Sequence, residues 1–207
     1  MNLPTAKPAK KSTSISISRL LIGILFVALV SFYVYSFSSN LPNYYLLIIS
    51  AIFGAYMAMN IGANDIANNV GPAVGSSAIS IGGAIILAVV FESAGALIAG
   101  GDVAGTIKKG IIDPSLIQNV DVFVWIMMAA LLAGALWLNL ATAFGAPVST
   151  THSIVGGVTG AGIAAAGWGI VNWTKMEAIV ASWIISPFMG GSNRGRIFNF
   201  SKKEYSI

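Results

Sequence analysis

The chain has 207 residues, of which 56% are hydrophobic and only 9% are charged, and its formal net charge is +4. A soluble domain carries about a quarter of charged residues, so this composition is typical of a membrane protein. The sequence contains no cysteine, which excludes disulfides, thiolate metal sites and cysteine nucleophiles. Its basic residues lie in tails and loops, as expected of cytoplasmic flanks, and we predict no nucleic-acid partner.

The first half of the chain predicts three membrane spans. Residues 1–19 are polar and basic, and we expect a disordered tail. Residues 20–37 form an uncharged apolar run without a signal-peptide cleavage site, which predicts an additional N-terminal transmembrane helix. The second span covers residues 44–70. The third covers residues 81–100, long enough to cross a hydrocarbon core of about 30 Å.

The second half predicts two further spans around a flexible segment. Residues 101–121 form a polar connection, and residues 122–144 form the fourth span. Residues 146–166 combine a proline, five hydroxyls, the only histidine and four glycines, which favours a re-entrant helical hairpin shielded by protein. Residues 176–190 are a short fifth apolar run, and residues 191–207 are a hydrophilic tail. The predicted fold is an all-α integral membrane protein with about five transmembrane helices and one re-entrant helical hairpin.

A polar cluster with the sequence GANDIANN interrupts the second predicted span. An ionisable residue at bilayer depth is costly, so Asp65 indicates a functional site. On a helix, Asp65 shares a face with Asn68 and Asn69, and Asn64 shares one with Asn68. Carboxylate and amide oxygens are the hard donors that an alkali cation prefers. Pro72 removes one helical hydrogen bond and frees the Asn68 carbonyl. The alternative is a packing motif in which these side chains bond to neighbouring helices.

The sequence PVSTTHS, at the start of the flexible segment, predicts a helix beginning at Pro147. Its first turn would present free backbone N–H groups and the hydroxyls of Ser149, Thr150, Thr151 and Ser153. Such a helix end attracts phosphate, sulfate or carboxylate. The alternative is a packing face whose hydroxyls bond back to their own helix.

Small residues follow that predicted helix start. Gly156 and Gly160 are four residues apart, as are Gly157 and Ala161, so each pair lies on one helical face. Such pairs let two helices approach closely in a membrane. We therefore expect the flexible segment to pack tightly on a neighbour.

Two further ionisable residues need an explanation. Glu92 lies past the midpoint of the third span with no Lys or Arg nearby in sequence, so it must be protonated or paired with a cation. A role in ion coupling is favoured over a structural hydrogen bond. For His152 we favour a packed side chain over a ligand. An intramembrane hydrolase could use Ser149 or Ser153 with His152 and Asp65, but no nucleophile-elbow pattern surrounds either serine.

Three features, in this order, resemble the PiT-type inorganic phosphate transporter family, the PHO4-like phosphate permeases. They are GANDIAN at residues 62–68, the Phe91-Glu92 pair, and PVSTTHS at residues 147–153. The resemblance covers about residues 44–190 and implies the N-terminal repeat of an inverted-repeat transporter. It implies symport of inorganic phosphate with sodium ions or protons across the plasma (inner) membrane, without enzyme activity and without a cofactor.

The resemblance also implies roles for particular residues. The implied phosphate-binding residues are Asp65, Asn68, Ser149, Thr150, Thr151 and Ser153. The implied cation-coupling residues are Asn64, Asp65, Asn68 and Glu92, the first three being candidate sodium ligands.

Family members carry a second GAND-type signature and a second hydroxyl-rich hairpin, and this sequence contains neither. We therefore expect a truncated or frame-shifted product, or one half of a split transporter, with residues 191–207 as an aberrant tail. The expected partners are inorganic phosphate, the coupling cation, membrane lipid, and a second transporter half or a second copy in a homodimer. The alternative function is a non-transporting membrane assembly subunit that pairs with such a partner.

Overall fold

Helices make up nearly all of the structure, a computed structural model that describes residues 17–117 and 119–204. In chain order the helices are α1 (Ile17–Ser38), α2 (Tyr44–Gly75), α3 (Ile81–Gly110), α4 (Val120–Ala143), α5 (Thr150–Ala166) and α6 (Trp173–Glu204). Two short 3₁₀ turns lie at Pro114–Leu116 and Trp168–Ile170. These ranges contain no strand beyond one isolated bridge, so the all-α prediction is confirmed.

Four helices in the described ranges are long and apolar enough to cross a membrane: α1, α2, α3 as far as Lys108, and α4. They correspond to the first four predicted spans. The fifth predicted span lies within α6, which is not one of these four. Helix α5 has 17 residues and rises only about 25 Å, less than the thickness of a hydrocarbon core.

Several helices run beyond the bounds predicted from hydropathy. Helix α2 continues through Pro72 to Gly75 instead of ending near residue 70, and α3 continues through residues 101–110. Thr106 Oγ1 donates to the Asp102 carbonyl at 3.0 Å, so polar side chains there remain compatible with helix. A fall in hydropathy marks the edge of a membrane span without ending the helix.

Helices also extend into both of the tails predicted from the sequence. Helix α1 begins at Ile17, so the last three residues of the predicted N-terminal tail are helical, and residues 1–16 lie outside the described residues. Helix α6 runs without a break to Glu204, so the hydrophilic stretch is helical as far as that residue. The hydrophilic composition of that stretch therefore does not end the helix.

The chain divides into two compact units, one ending at Met59 and the other beginning at Asn60. The first unit holds α1 and the first half of α2. Within it, a Cβ on Gly23 would lie 3.6 Å from the Met59 sulfur, so the two helices approach closely at that point. All predicted site residues lie in the second unit.

The core of the second unit forms where α4 and α5 pack together. A Cβ on Gly157 would lie 2.8 Å from the Ala130 carbonyl oxygen, so the α5 backbone touches α4 there. Tight glycine packing is therefore confirmed for Gly157. It is wrong for Gly156 and Gly160, where an added Cβ would meet nothing within 4 Å. The buried core comprises Ile111, Ile112, Ile126, Ala130, Val155, Val158, Ile170 and Val171.

An antiparallel bridge ties the segment before α4 to the segment after α5. Ile112 pairs with Val171, and the Asp113 N–H donates to the Ile170 carbonyl at 2.8 Å. Ile112 and Ile170 are almost fully buried. The bridge thus closes one end of the α4–α5 pair, and the short connection between the two helices closes the other.

Candidate functional site

Helix α4 stops at a glycine-dependent motif. Gly145 adopts φ +67°, a conformation that L side chains disfavour. Its N–H donates to the Thr142 carbonyl at 3.0 Å, and the Ala146 N–H donates to the Ala141 carbonyl at 2.8 Å. This pair of bonds is a Schellman motif, which satisfies the last carbonyls of the helix. The chain therefore turns sharply after α4.

Helix α5 starts at a serine cap. Ser149 Oγ accepts the His152 N–H at 3.3 Å, which makes Ser149 the N-cap and Thr150 the first helical residue. The predicted start at Pro147 is therefore three residues early. Residues 144–149, hereafter the linker, join the two helices directly. The helical hairpin is consequently formed by α4 and α5, and not within residues 146–166.

Three asparagines spaced four apart on α2, namely Asn60, Asn64 and Asn68, form an asparagine ladder that faces α4. Asn139 Nδ2 donates to Asn60 Oδ1 at 3.1 Å. Asn64 Nδ2 donates to Thr142 Oγ1 at 3.2 Å, and Asn68 Nδ2 donates to Asn64 Oδ1 at 2.9 Å. The polar side chains of α2 therefore meet polar side chains near the end of α4.

The ladder also reaches the backbone of the linker. Asn64 Nδ2 donates to the Ala146 carbonyl at 3.5 Å, and Asn68 Nδ2 donates to the Val148 carbonyl at 3.3 Å. Both carbonyls lie outside helices and have no helical N–H to accept. The amides of α2 thus supply the donors that this non-helical backbone needs.

Asp65 turns away from the ladder and meets the start of α5. Thr150 Oγ1 donates to Asp65 Oδ1 at 2.5 Å, and Thr150 is buried with 8% of its surface exposed. The backbone N–H groups of Thr150 and Thr151 have no partner in the described part of the chain. The structure therefore joins the acidic residue to the helix end that the sequence predicts to attract anions.

The other predicted phosphate-binding hydroxyls point in different directions. Ser149 Oγ is the N-cap, and Ser153 Oγ donates back to the Ser149 carbonyl at 2.8 Å. Thr151 lines a separate cavity of about 280 Å³ between α3, α5 and α6. Only Thr150 is brought to Asp65, and the phosphate-binding roles of all four hydroxyls stay predictions.

His152 packs against α6. Its ring centroid lies 3.8 Å from that of Trp183, at an interplanar angle of 73°. The hydrogen bonds of Ser149 and Ser153 go to backbone groups, and neither hydroxyl bonds to the imidazole within the described residues. The contact supports a packed side chain, and a hydrolase would need a nucleophile–base hydrogen bond at this place.

Glu92 lies in a groove of about 790 Å³ between α2 and α3. Its side chain is exposed and makes no hydrogen bond or ion pair in the described ranges. Asn69 lines the same groove, whereas Asn68 belongs to the ladder and Asp65 meets α5. The polar side chains predicted to share one face of α2 therefore point to three places: the ladder, the start of α5 and the groove. The coupling role of Glu92 stays a prediction.

Three partners of this site were not predicted from the sequence: Asn60, Asn139 and Thr142. The sequence does contain a pattern that indicates these three residues. Asn60 is four residues before Asn64, and Asn139 is three residues before Thr142, so each pair marks a polar stripe on an otherwise apolar helix. Polar stripes on two apolar helices indicate that the helices face each other in a membrane.

The family model of the phosphate transporter family (PHO4) matches residues 61–204. The chain belongs to the phosphate transporter family. It is 51% identical over 189 residues to a Helicobacter pylori J99 protein named "Putative phosphate permease", covering 91% of the chain and 36% of the relative. A Pyrococcus abyssi protein named a "Putative phosphate permease" is 50% identical over 144 residues, covering 70% of the chain and 36% of the relative.

A solved structure described as "The sodium-dependent phosphate transporter" is also similar, with a TM-score of 0.70 and 43% identity. The similarity covers 75% of this chain and 38% of the solved one. This chain therefore spans little more than a third of the length of the proteins it matches. Together with its apolar helices, family membership makes it an integral membrane protein. The Helicobacter match covers so much of the chain that it takes in the additional helix α1.

Proposed function

We propose that this chain takes part in cation-coupled transport of inorganic phosphate across the plasma (inner) membrane. The observation that carries the proposal is the hydrogen bond from Thr150 to Asp65. It sets a carboxylate of α2 beside the N-terminal end of α5, where free N–H groups and the helix dipole favour an anion. Membership of the phosphate transporter family supports phosphate as that anion. The name of the solved relative supports sodium as the coupling ion.

The chemistry of the site gives a reason for coupling. A phosphate anion and the Asp65 carboxylate repel each other at this range. Asp65 Oδ2 and Asn68 Oδ1 accept no hydrogen bond in the described part of the chain, and oxygen donors of this kind suit a sodium ion. A cation held by Asp65 Oδ2 would neutralise Asp65 and let phosphate approach the first turn of α5. Phosphate would then bind well only together with the cation.

The other predicted site residues have smaller roles in this proposal. Ser149 uses its hydroxyl oxygen as an acceptor, so its proton is available to a phosphate oxygen. Thr151 contributes its backbone N–H, and Ser153 has its hydroxyl committed to its own helix. Glu92 could contribute to coupling only from the groove between α2 and α3.

A second candidate is a non-transporting membrane assembly subunit that pairs with a second transporter half or with a copy of itself. The exposed face of α3 favours it. Ile85 and Val89, which lie on the same side of α3 as Glu92, are 49% and 57% exposed, and Glu92 faces an open groove. A partner helix with polar side chains could cover this face and bond to the carboxylate.

Uptake of radiolabelled phosphate into proteoliposomes containing the purified chain tests the first proposal. We expect uptake to depend on an inward sodium or proton gradient, and to be lost in Asp65→Asn. Asp102→Asn, which changes an exposed carboxylate of α3, is the matched control and should transport normally. Uptake that ignores both gradients would contradict coupling. No uptake, together with a dimeric size on native gels, would favour the assembly subunit.

A further inference from the structure

We infer that the asparagine ladder, with Asn139 and Thr142 of α4, positions the linker against α2 and thereby sets Thr150 on Asp65. These residues act through the backbone of the linker. The importance of the Thr150–Asp65 contact rests on the proposed function. The positioning itself can be tested without any transport measurement.

Asn64 is the central residue of this arrangement. Its amide nitrogen donates to Thr142 Oγ1 and to the Ala146 carbonyl, and its carbonyl oxygen accepts from Asn68. Only 4% of its surface is exposed. Both amide hydrogens and one oxygen lone pair are thus committed to protein partners. Asn64 is therefore assigned to positioning and not to the cation, in contrast to the role that the family resemblance implies for it.

The linker needs such donors because its backbone is not helical. A carbonyl without a partner is costly at membrane depth. The ladder meets the Ala146 and Val148 carbonyls, which are two residues apart along the chain. Thr150 follows two residues later. Holding alternate residues of this non-helical segment fixes where the next one is placed, so the ladder determines the position of the Thr150 hydroxyl.

Two hydrogen bonds between α2 and α4 complete this arrangement. Asn139 bonds to Asn60, and Thr142 bonds to Asn64, so two side-chain hydrogen bonds join α2 to the last turns of α4. Thr142 also accepts the Gly145 N–H through its carbonyl in the helix stop. The end of α4, the linker and α2 are therefore held as one piece.

Cysteine accessibility tests this inference, because the native sequence has no cysteine. Val148→Cys keeps the backbone carbonyl that Asn68 binds and places a reporter thiol in the linker. Val155→Cys, at a buried core position of α5, reports on the helix pair as a whole. Each reporter is combined with Thr142→Val, which removes the partner of Asn64, and with Thr142→Ser, which keeps it. Maleimide labelling rates are measured on the full chain in lipid nanodiscs.

We expect Thr142→Val to raise labelling at position 148 by about two- to tenfold, as the loss of one hydrogen bond does. Thr142→Ser should restore the parent rate, and labelling at position 155 should not change. If Thr142→Val does not express, Asn139→Leu replaces it. This change removes the hydrogen bond to Asn60, and we expect it to raise labelling at position 148 as well. Equal labelling at position 148 in the Val and Ser variants would overturn the inference. An equal rise at position 155 would also overturn it, because it would indicate general loosening.

Discussion

Thr150 and Asp65 are 85 residues apart in sequence, and their side chains share a hydrogen bond of 2.5 Å. The contact joins the polar cluster of α2 to the first residue of α5. A carboxylate at bilayer depth is thereby supplied with a hydroxyl donor, which lowers the cost of placing it there. The two motifs that the sequence singles out separately are consequently parts of one site.

Close packing of α5 on α4 makes Gly157 sensitive to substitution. In Gly157→Ala the new Cβ would meet the Ala130 carbonyl oxygen at 2.8 Å, so we expect destabilisation by about 1–3 kcal/mol. Gly160→Ala is the control, because its Cβ would meet nothing within 4 Å. That change should be neutral or stabilise by up to about 1 kcal/mol. Denaturant unfolding in detergent measures both, and similar losses in the two variants would contradict the packing described.

The contact between His152 and Trp183 predicts a structural role for the histidine. His152→Phe keeps an aromatic ring against Trp183, whereas His152→Ala removes it and should cost about 0.5–1.5 kcal/mol of stability. We expect the Phe variant to unfold near the parent midpoint and to retain any phosphate uptake. Loss of uptake in a stable His152→Phe variant would show that the imidazole takes part in function.

Asp113 caps the turn before α4, outside the membrane-spanning segments. The Ser115 hydroxyl, and then the Ser115 N–H, hold the pKa of the Asp113 carboxyl below its usual value of 3.8. A carboxyl with a lowered folded pKa adds stability above its unfolded pKa, and this is lost as the pH falls through the folded value. The contribution should thus disappear only below about pH 3.8.

Ser115→Ala should move the pKa of Asp113 upward, and Ser115→Thr should keep it low, because the hydroxyl is retained. Carbon-detected NMR of the Asp113 carboxyl group during a pH titration measures both. An unchanged pKa in Ser115→Ala would mean that the Ser115 hydroxyl is not the main cause.

Much of the helical architecture follows from hydropathy. The bounds predicted for α1 and α4 differ from the structure by three residues or fewer, because an apolar run must be helical to cross a membrane. The end of α4 could also have been predicted more closely, since Gly145 and Pro147 form the usual pattern beyond a helix stop. The prediction for α3 stops at residue 100, ten residues before the helix ends. Hydropathy falls there because residues 101–110 include charged side chains, but these residues are still helical.

The geometry of the site could not be predicted in the same way. Thr150 and Thr151 are neighbours in sequence, but successive residues on a helix point about 100° apart. One of them meets Asp65, and the other lines a different cavity. Which hydroxyl faces α2 depends on how α5 is rotated, and that is fixed by Gly157 on Ala130. The bridge between Ile112 and Val171 likewise depends on packing alone.

The sodium dependence of phosphate uptake in Thr150 variants tests the central claim most directly. In proteoliposomes, Thr150→Ser keeps the hydroxyl that bonds to Asp65, and we expect uptake and its sodium dependence close to the parent. Thr150→Val keeps the shape and removes the bond, so we expect uptake to fall about tenfold and to need more sodium, as the loss of a bond to a charged group predicts. Parent-like uptake and sodium dependence in Thr150→Val would contradict the account.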